Sequence, residues 1–116
     1  MRASGTLSLD DLSDAANTAL QAEQWTDAYL LYFFAAREGH AASALRLARH
    51  ADPAHHTVGA SLFEAPDMMQ AHKWYDAAAR QGDEAAQAGL ADLRSRVEQL
   101  AADGDPEAQR IALLWQ

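Results

Sequence analysis

At 116 residues the chain has room for one domain. A chain of this size buries roughly 65% of its unfolded surface, enough for a core without covalent staples. It contains no cysteine, which excludes a disulfide framework and thiol chemistry. Its formal net charge of -8 is uneven: Lys and Arg against Asp and Glu give -2 for residues 1–50 and -6 for residues 51–116. Such acidity argues against nucleic acid or an anionic membrane as partner, since phosphates would be repelled, and it suits either a solvated face or a basic protein partner.

Alanine is abundant and β-branched residues are rare, a mix that favours helix over strand. No apolar run approaches the ~20 residues of a membrane span. The first residues, Met1 to Thr6, hold one arginine and no apolar stretch, so no signal peptide is expected. The expected compartment is the cytoplasm, with the periplasm open to a mature form or fragment.

In chain order, residues 1–7 read as a flexible tail. Ser8 is an expected N-cap, with Asp10 and Asp11 in the first turn, and Leu9, Leu12, Ala16, Ala19 and Leu20 recur at helical spacing. A helix is predicted over about Leu9–Glu23. Gln24 and Trp25 form a turn and Thr26 caps a second helix. That helix is apolar nearly all round: Ala28, Leu31, Tyr32, Ala35 and Ala36 mark one face, and Tyr29, Leu30, Phe33 and Phe34 fill others. Such a helix is expected at the centre of a stack. Gly39 ends it in the left-handed conformation. A third helix spans about Ala41–Ala51 and stops at Asp52-Pro53. Residues 52–66 have no helical period and form a long loop, which Leu62 and Phe63 pin to the core. Asp67 caps a fourth helix with Ala71, Trp74, Tyr75, Ala78 and Ala79 on one face, and Gly82 closes it. Asp83 caps a fifth, Glu84 to Ala102. Gly104 ends that one, and Asp105-Pro106 opens a last helix to about Trp115.

Gly39 and Gly82 lie 43 residues apart, and on that period two stretches coincide. Ala28 falls on Ala71, Leu31 on Trp74, Tyr32 on Tyr75, Ala35 on Ala78 and Ala36 on Ala79; beyond the glycine, Ser43 falls on Ala86 and Leu47 on Leu90. Paired alanines allow close helix approach, the glycine turns the chain, and the leucine fills the gap between hairpins. The pattern Ala-x-x-Trp-Tyr-x-x-Ala-Ala-x-x-Gly-x-x-x-Ala-x-x-x-Leu, met by Ala71 through Leu90, resembles the Sel1-like repeat, a relative of the tetratricopeptide repeat. Residues 16–36 also resemble a tetratricopeptide hairpin through Trp25, Ala28, Tyr32 and Ala35.

The resemblance implies an all-α fold, a short α-solenoid of antiparallel hairpins with five or six helices. Its copies would cover about residues 26–51 and 67–93, with the loop 52–66 inserted and residues 94–116 as a cap. It implies a non-catalytic adaptor. Two departures stand out: the period exceeds the usual ~36 residues, the excess lying in the loop, and the third copy lacks the Trp-Tyr pair.

If a peptide binds, the first helix of each hairpin would line the groove, and its expected contacts are Tyr29, Phe33, His72, Lys73 and Asp76. Trp74 and Tyr75 are expected in the core rather than as a ligand-stacking pair. His50, Asp52, His55 and His56 cluster in sequence and are the candidates for metal ligation, though their spacing matches no ligand signature and the expectation is no metal and no cofactor. His40 and His72 read as surface or groove residues. No nucleophile triad or phosphate loop is present in the sequence. The expected function is protein–protein interaction, as an adaptor or regulatory subunit in a bacterial assembly. The rival is a small acidic immunity protein or secretion chaperone that covers a basic surface of a toxin or effector. Self-association through the apolar ends of a short stack is a further possibility.

Overall fold

The computed structural model describes residues 8–57 and 59–115. Within them the chain is all-α, with six α-helices and no strand: α1 (Leu9–Gln21), α2 (Trp25–Arg37), α3 (Ala41–Ala51), α4 (Met68–Ala79), α5 (Glu84–Ala102) and α6 (Pro106–Ala112), followed by a 3-10 turn, Leu113–Trp115. The tail expected over residues 1–7 lies outside the described residues.

Four of the five connections are one local device. After each helix, two backbone N–H groups reach back to the last turn. Gly39 N–H donates to the Ala36 carbonyl and His40 N–H to that of Ala35; Gly82 and Asp83 repeat this on Ala79 and Ala78, and Gly104 and Asp105 on Ala101 and Leu100. All three glycines have positive φ, as the turn demands. The α1–α2 connection has the same two bonds, Glu23 to Leu20 and Gln24 to Ala19, but with Glu23 at φ 59° in the glycine position. This tight turn shifts the predicted boundaries. Helix α1 stops at Gln21, and α2 begins at Trp25 with Gln24 in the cap position and no side-chain cap. Thr26 is therefore inside the helix rather than capping it.

The other N-caps are side-chain caps. Ser8 and Asp11 bond reciprocally, a capping box. Asp67, Asp83 and Asp105 accept from the backbone N–H three residues on, at 3.1, 2.8 and 2.9 Å. His40 does the same job with its ring: Nδ1 accepts from Ser43 N–H at 3.2 Å. Its Nε2 lies 2.8 Å from Asp10 in α1. His40 is thus a helix cap rather than a groove residue.

Packing is sequential. Every extensive helix–helix contact joins neighbours in the chain, and the molecule measures 53 × 30 × 18 Å. Its radius of gyration, 15.1 Å, exceeds the about 13 Å of a compact chain this long. The core is built from the repeat positions. Ala28, Tyr32, Ala35 and Ala36 are buried, and so are Ala71, Trp74, Tyr75 and Ala78. The small residues four places past the glycines, Ser43, Ala86 and Ala108, are fully enclosed. Leu47 is enclosed too, while its counterpart Leu90 is half-buried. One expectation changes: α2 is not covered all round. Leu30 and Phe34 are 55% and 45% exposed, because the stack has no helix on the outer side of α2 among the described residues. The last helix also ends earlier than predicted, tightening to 3-10 at Leu113.

Candidate functional site

The α3–α4 connection is the irregular one, and it shapes the site. It is clasped at both ends. Asp67 N–H donates to the Ala51 carbonyl at 2.8 Å. At the other end the Asp52 carboxylate, 2% exposed, accepts from Ala54 N–H at 2.9 Å and from the Tyr75 hydroxyl at 2.7 Å. Burial and the adjacent carboxylate push the Tyr75 hydroxyl far above the usual phenol range.

Two histidines fasten the middle. His50 Nδ1 accepts from Leu62 N–H at 3.1 Å, and the Ser61 hydroxyl donates to the His50 carbonyl at 2.8 Å. His56 Nε2 donates to the Phe63 carbonyl at 2.7 Å. Burial first, then the charges of Arg46 and His56, hold His50 below the usual histidine range, so its ring stays neutral and free to accept. Of the four clustered residues named as candidate metal ligands, His50, Asp52 and His56 are therefore drawn apart into separate loop bonds, and His55 stays exposed. Among the described residues no group of three or more His, Asp or Glu side chains converges to hold a metal.

These clasps deliver Leu62 and Phe63 against the core. The Phe63 ring meets Tyr29 edge-on at 5.7 Å, Tyr29 stacks on Phe33 at 5.9 Å, and Phe33 meets Trp74 edge-on at 5.6 Å. Such pairs add stabilisation beyond their buried area. Four rings thus run without a break from the loop across α2 to α4. Two cations lie over them. Lys73 Nζ is 4.7 Å from the Trp74 ring and 5.9 Å from Phe33, and the Arg37 guanidinium is 6.0 Å from Phe33. A hollow of about 570 Å³ opens beside the ladder, lined by Trp25, Thr26, Tyr29, Leu62, Phe63 and Glu64 among others.

Of the five residues proposed from sequence as groove contacts, three meet on this surface: Tyr29, Phe33 and Lys73. The other two point elsewhere. Asp76 is engaged by Arg80 at 2.7 Å. His72 packs edge-on against Trp115, 4.7 Å away, tying α4 to the C-terminal turn, and burial holds its ring below the usual histidine range. Tyr29 and Phe33 are half-buried, more enclosed than expected for exposed groove residues. Sequence reading missed Phe63 and Arg37 as members. The sequence sets Phe63 on the core, but nothing in its neighbourhood announces Tyr29, which lies on α2.

A second hollow, about 590 Å³, lies between the start of the loop and α5, lined by Asp52, His55, Asp92, Leu93, Arg96 and Gln99 among others. Its buried acid is already doubly bonded. No buried side-chain nitrogen or oxygen among the described residues lacks a partner. Compared with protein-family profiles, with curated proteins and with solved structures, the chain finds no match in any of the three.

Proposed function

We propose that the chain is a non-catalytic protein–protein interaction module, an adaptor or regulatory subunit of a bacterial assembly, built on a Sel1-like repeat. The observation that carries this reading is the aromatic ladder Phe63–Tyr29–Phe33–Trp74, overlaid by Lys73 and Arg37. It joins the first helices of two hairpins, the side on which stacked hairpins offer a continuous surface. The three half-buried rings, Phe63, Tyr29 and Phe33, supply rigid apolar contact area at small entropic cost, and the cations supply direction. The ligand that fits is an extended peptide with apolar side chains against Tyr29 and Phe63 and a carboxylate near Lys73.

Selection of binders from a random peptide library tests this. Peptides selected on the native chain should bind the Lys73→Glu variant at least ten-fold more weakly, and Lys73 is exposed enough for the fold to survive. Equal affinity for both would sink the proposal.

The rival, an acidic inhibitor or chaperone for a basic partner, draws on the acidic residues of the second half. Most of these have local jobs. Asp67, Asp83 and Asp105 cap helices, Asp52 holds Tyr75, and Asp76 and Glu98 pair with arginines. Their positions are accounted for by helix starts, i,i+4 pairs and, for Asp52, the Tyr75 bond, which favours the peptide surface. Binding that collapses with added salt would restore the rival.

A further inference from the structure

Helix α2 carries a second surface, on the side away from its core face. Asp27, Leu30, Phe34 and Arg37 follow one another at spacings of three, four and three, so they form a single stripe along the helix. All four are exposed, whereas Ala28, Tyr32, Ala35 and Ala36 on the opposite side are buried. Leu30 and Phe34, a turn apart, are large apolar side chains in the open. Beside them a shallow hollow of about 450 Å³ runs between α1 and α2, lined by Ala15, Thr18, Ala19 and Leu31 among others. The Arg37 guanidinium sits 5.5 Å over the Phe34 ring, so the charge borders the patch.

The repeat shows why this stripe is open. On the 43-residue period Leu30 corresponds to Lys73 and Leu31 to Trp74. In the second copy those residues lie against Phe33 of the preceding first helix. The first copy has no preceding first helix among the described residues, so its counterpart surface, beside α1, is left uncovered there.

We infer that this stripe is the contact surface for a second copy of the chain, with two α2 helices packed antiparallel about a two-fold axis at the level of Tyr32. The stripe is self-complementary in that arrangement alone. Leu30 and Phe34 are equidistant from Tyr32, and so are Asp27 and Arg37. Antiparallel pairing therefore sets Leu30 against Phe34 of the second copy and Asp27 against its Arg37, twice over. Parallel pairing would set aspartate against aspartate and arginine against arginine. A two-fold contact needs one patch that matches itself, and this one does in shape and charge. The alanine-lined hollow leaves room for the incoming Phe34. A single-helix contact is small, so the dimer dissociates readily and forms in the micromolar range or above.

Sedimentation equilibrium of the native chain at low salt, from micromolar to millimolar, gives the test. A monomer–dimer equilibrium is expected. Asp27→Arg alone and Arg37→Asp alone should each weaken it at least ten-fold by opposing like charges, and the double variant should recover association to near the native level. Leu30→Asp should abolish it, with helix content by circular dichroism checking the fold; should that variant fail to fold, the charge cycle still decides. A chain that stays monomeric throughout overturns the inference. So does an association that survives Leu30→Asp in a folded chain, or a double variant no better than the singles.

Discussion

The two hairpins α2–α3 and α4–α5 carry a tyrosine at the same turn of their first helix and use it in different ways. Tyr32 donates its hydroxyl to Asn17 in α1, a half-buried amide. Tyr75 donates to Asp52, a buried carboxylate that also clasps the long loop. The residue seven places past the turn glycine differs accordingly: Arg46 in the first copy, Gly89 in the second. At Gly89 a Cβ would lie 2.4 Å from a Tyr75 ring carbon, so the glycine is what lets the ring lie against α5. One repeat scaffold thus supports an ordinary hairpin contact in one copy and a locked junction in the other. The lock sits where the period is lengthened, and it holds the loop that presents Phe63.

The largest expected difference between the copies is at Trp74 and its counterpart Leu31. Trp74 is 3% exposed, contacts Phe33 and donates its indole N–H to Gln70. Trp74→Ala should cost about 3–5 kcal/mol, read from the denaturation midpoint. Leu31 is half-buried beside α1, so Leu31→Ala should cost about 1–2 kcal/mol. Equal losses would show that the copies are not differently loaded.

Next comes the tyrosine junction itself. Asp52→Ala leaves the buried Tyr75 hydroxyl without its acceptor and removes the bond that holds Ala54 N–H, and should cost about 2–3 kcal/mol. Asn17→Ala, its counterpart in the first copy, should cost about 1 kcal/mol, since the acceptor lost there is a half-buried neutral amide rather than a buried carboxylate. Hydrogen exchange should also show residues 54–57 opening in the Asp52 variant and not in the Asn17 variant.

Gly89→Ala sharpens the same contrast through its sign. A glycine replaced by alanine inside a helix ordinarily gains about 1 kcal/mol. Here the new methyl meets the Tyr75 ring, and overpacking of this kind costs about 1–3 kcal/mol. A net loss of about 1 kcal/mol in thermal unfolding is expected, and a net gain would show that Tyr75 moves aside freely.

The turns give an effect of the opposite sign. Glu23 occupies at φ 59° the place that Gly39, Gly82 and Gly104 fill in the other three turns. The left-handed conformation costs a residue with a side chain about 1 kcal/mol relative to glycine. Glu23→Gly should therefore raise stability by about that amount, and a lowered melting temperature would mean that the Glu23 side chain makes up for its strain.

The helices and three of the turns were legible in the sequence because their causes are local. Each glycine and each aspartate cap acts on backbone groups three to five residues away, so Gly82-Asp83 and Gly104-Asp105 announce themselves. The fourth turn is expected at Gln24 and Trp25, about two residues late, since nothing in the chemistry of Glu23 favours positive φ. The site was half legible. Tyr29, Phe33 and Lys73 follow from the hairpin pattern, but Phe63 reaches Tyr29 only through bonds from His50 and His56 that span seven to twelve residues of irregular chain. Those same histidines suggested metal ligands because spacing alone does not tell a ligand from a clasp. The exposed side of α2 escapes the sequence for a related reason: an apolar helix with one uncovered side has the composition of one covered all round.

The smallest expected effect is on pH dependence, and it separates the loop from the regular turns. His50 is held below its ordinary pKa in the folded chain by burial, Arg46 and His56. In the unfolded chain it titrates near 6.5. Between those two values the unfolded state binds more protons, so this contribution to stability is complete above about pH 6.5 and is lost as pH falls toward the folded value. His72, also depressed, acts in the same direction at the α4–Trp115 contact. The structural consequence is local, because a proton on Nδ1 of His50 would face the Leu62 N–H that now donates to it. On acidification the amide of Leu62 should lose protection before those of Gly39, Gly82 and Gly104, whose turn bonds contain no titrating group. Replacing His50 by Gln removes the titration, so its loop protection should not vary across that range. A loop that opens in acid equally in both proteins would place the sensitivity elsewhere, with His56 the next group to replace.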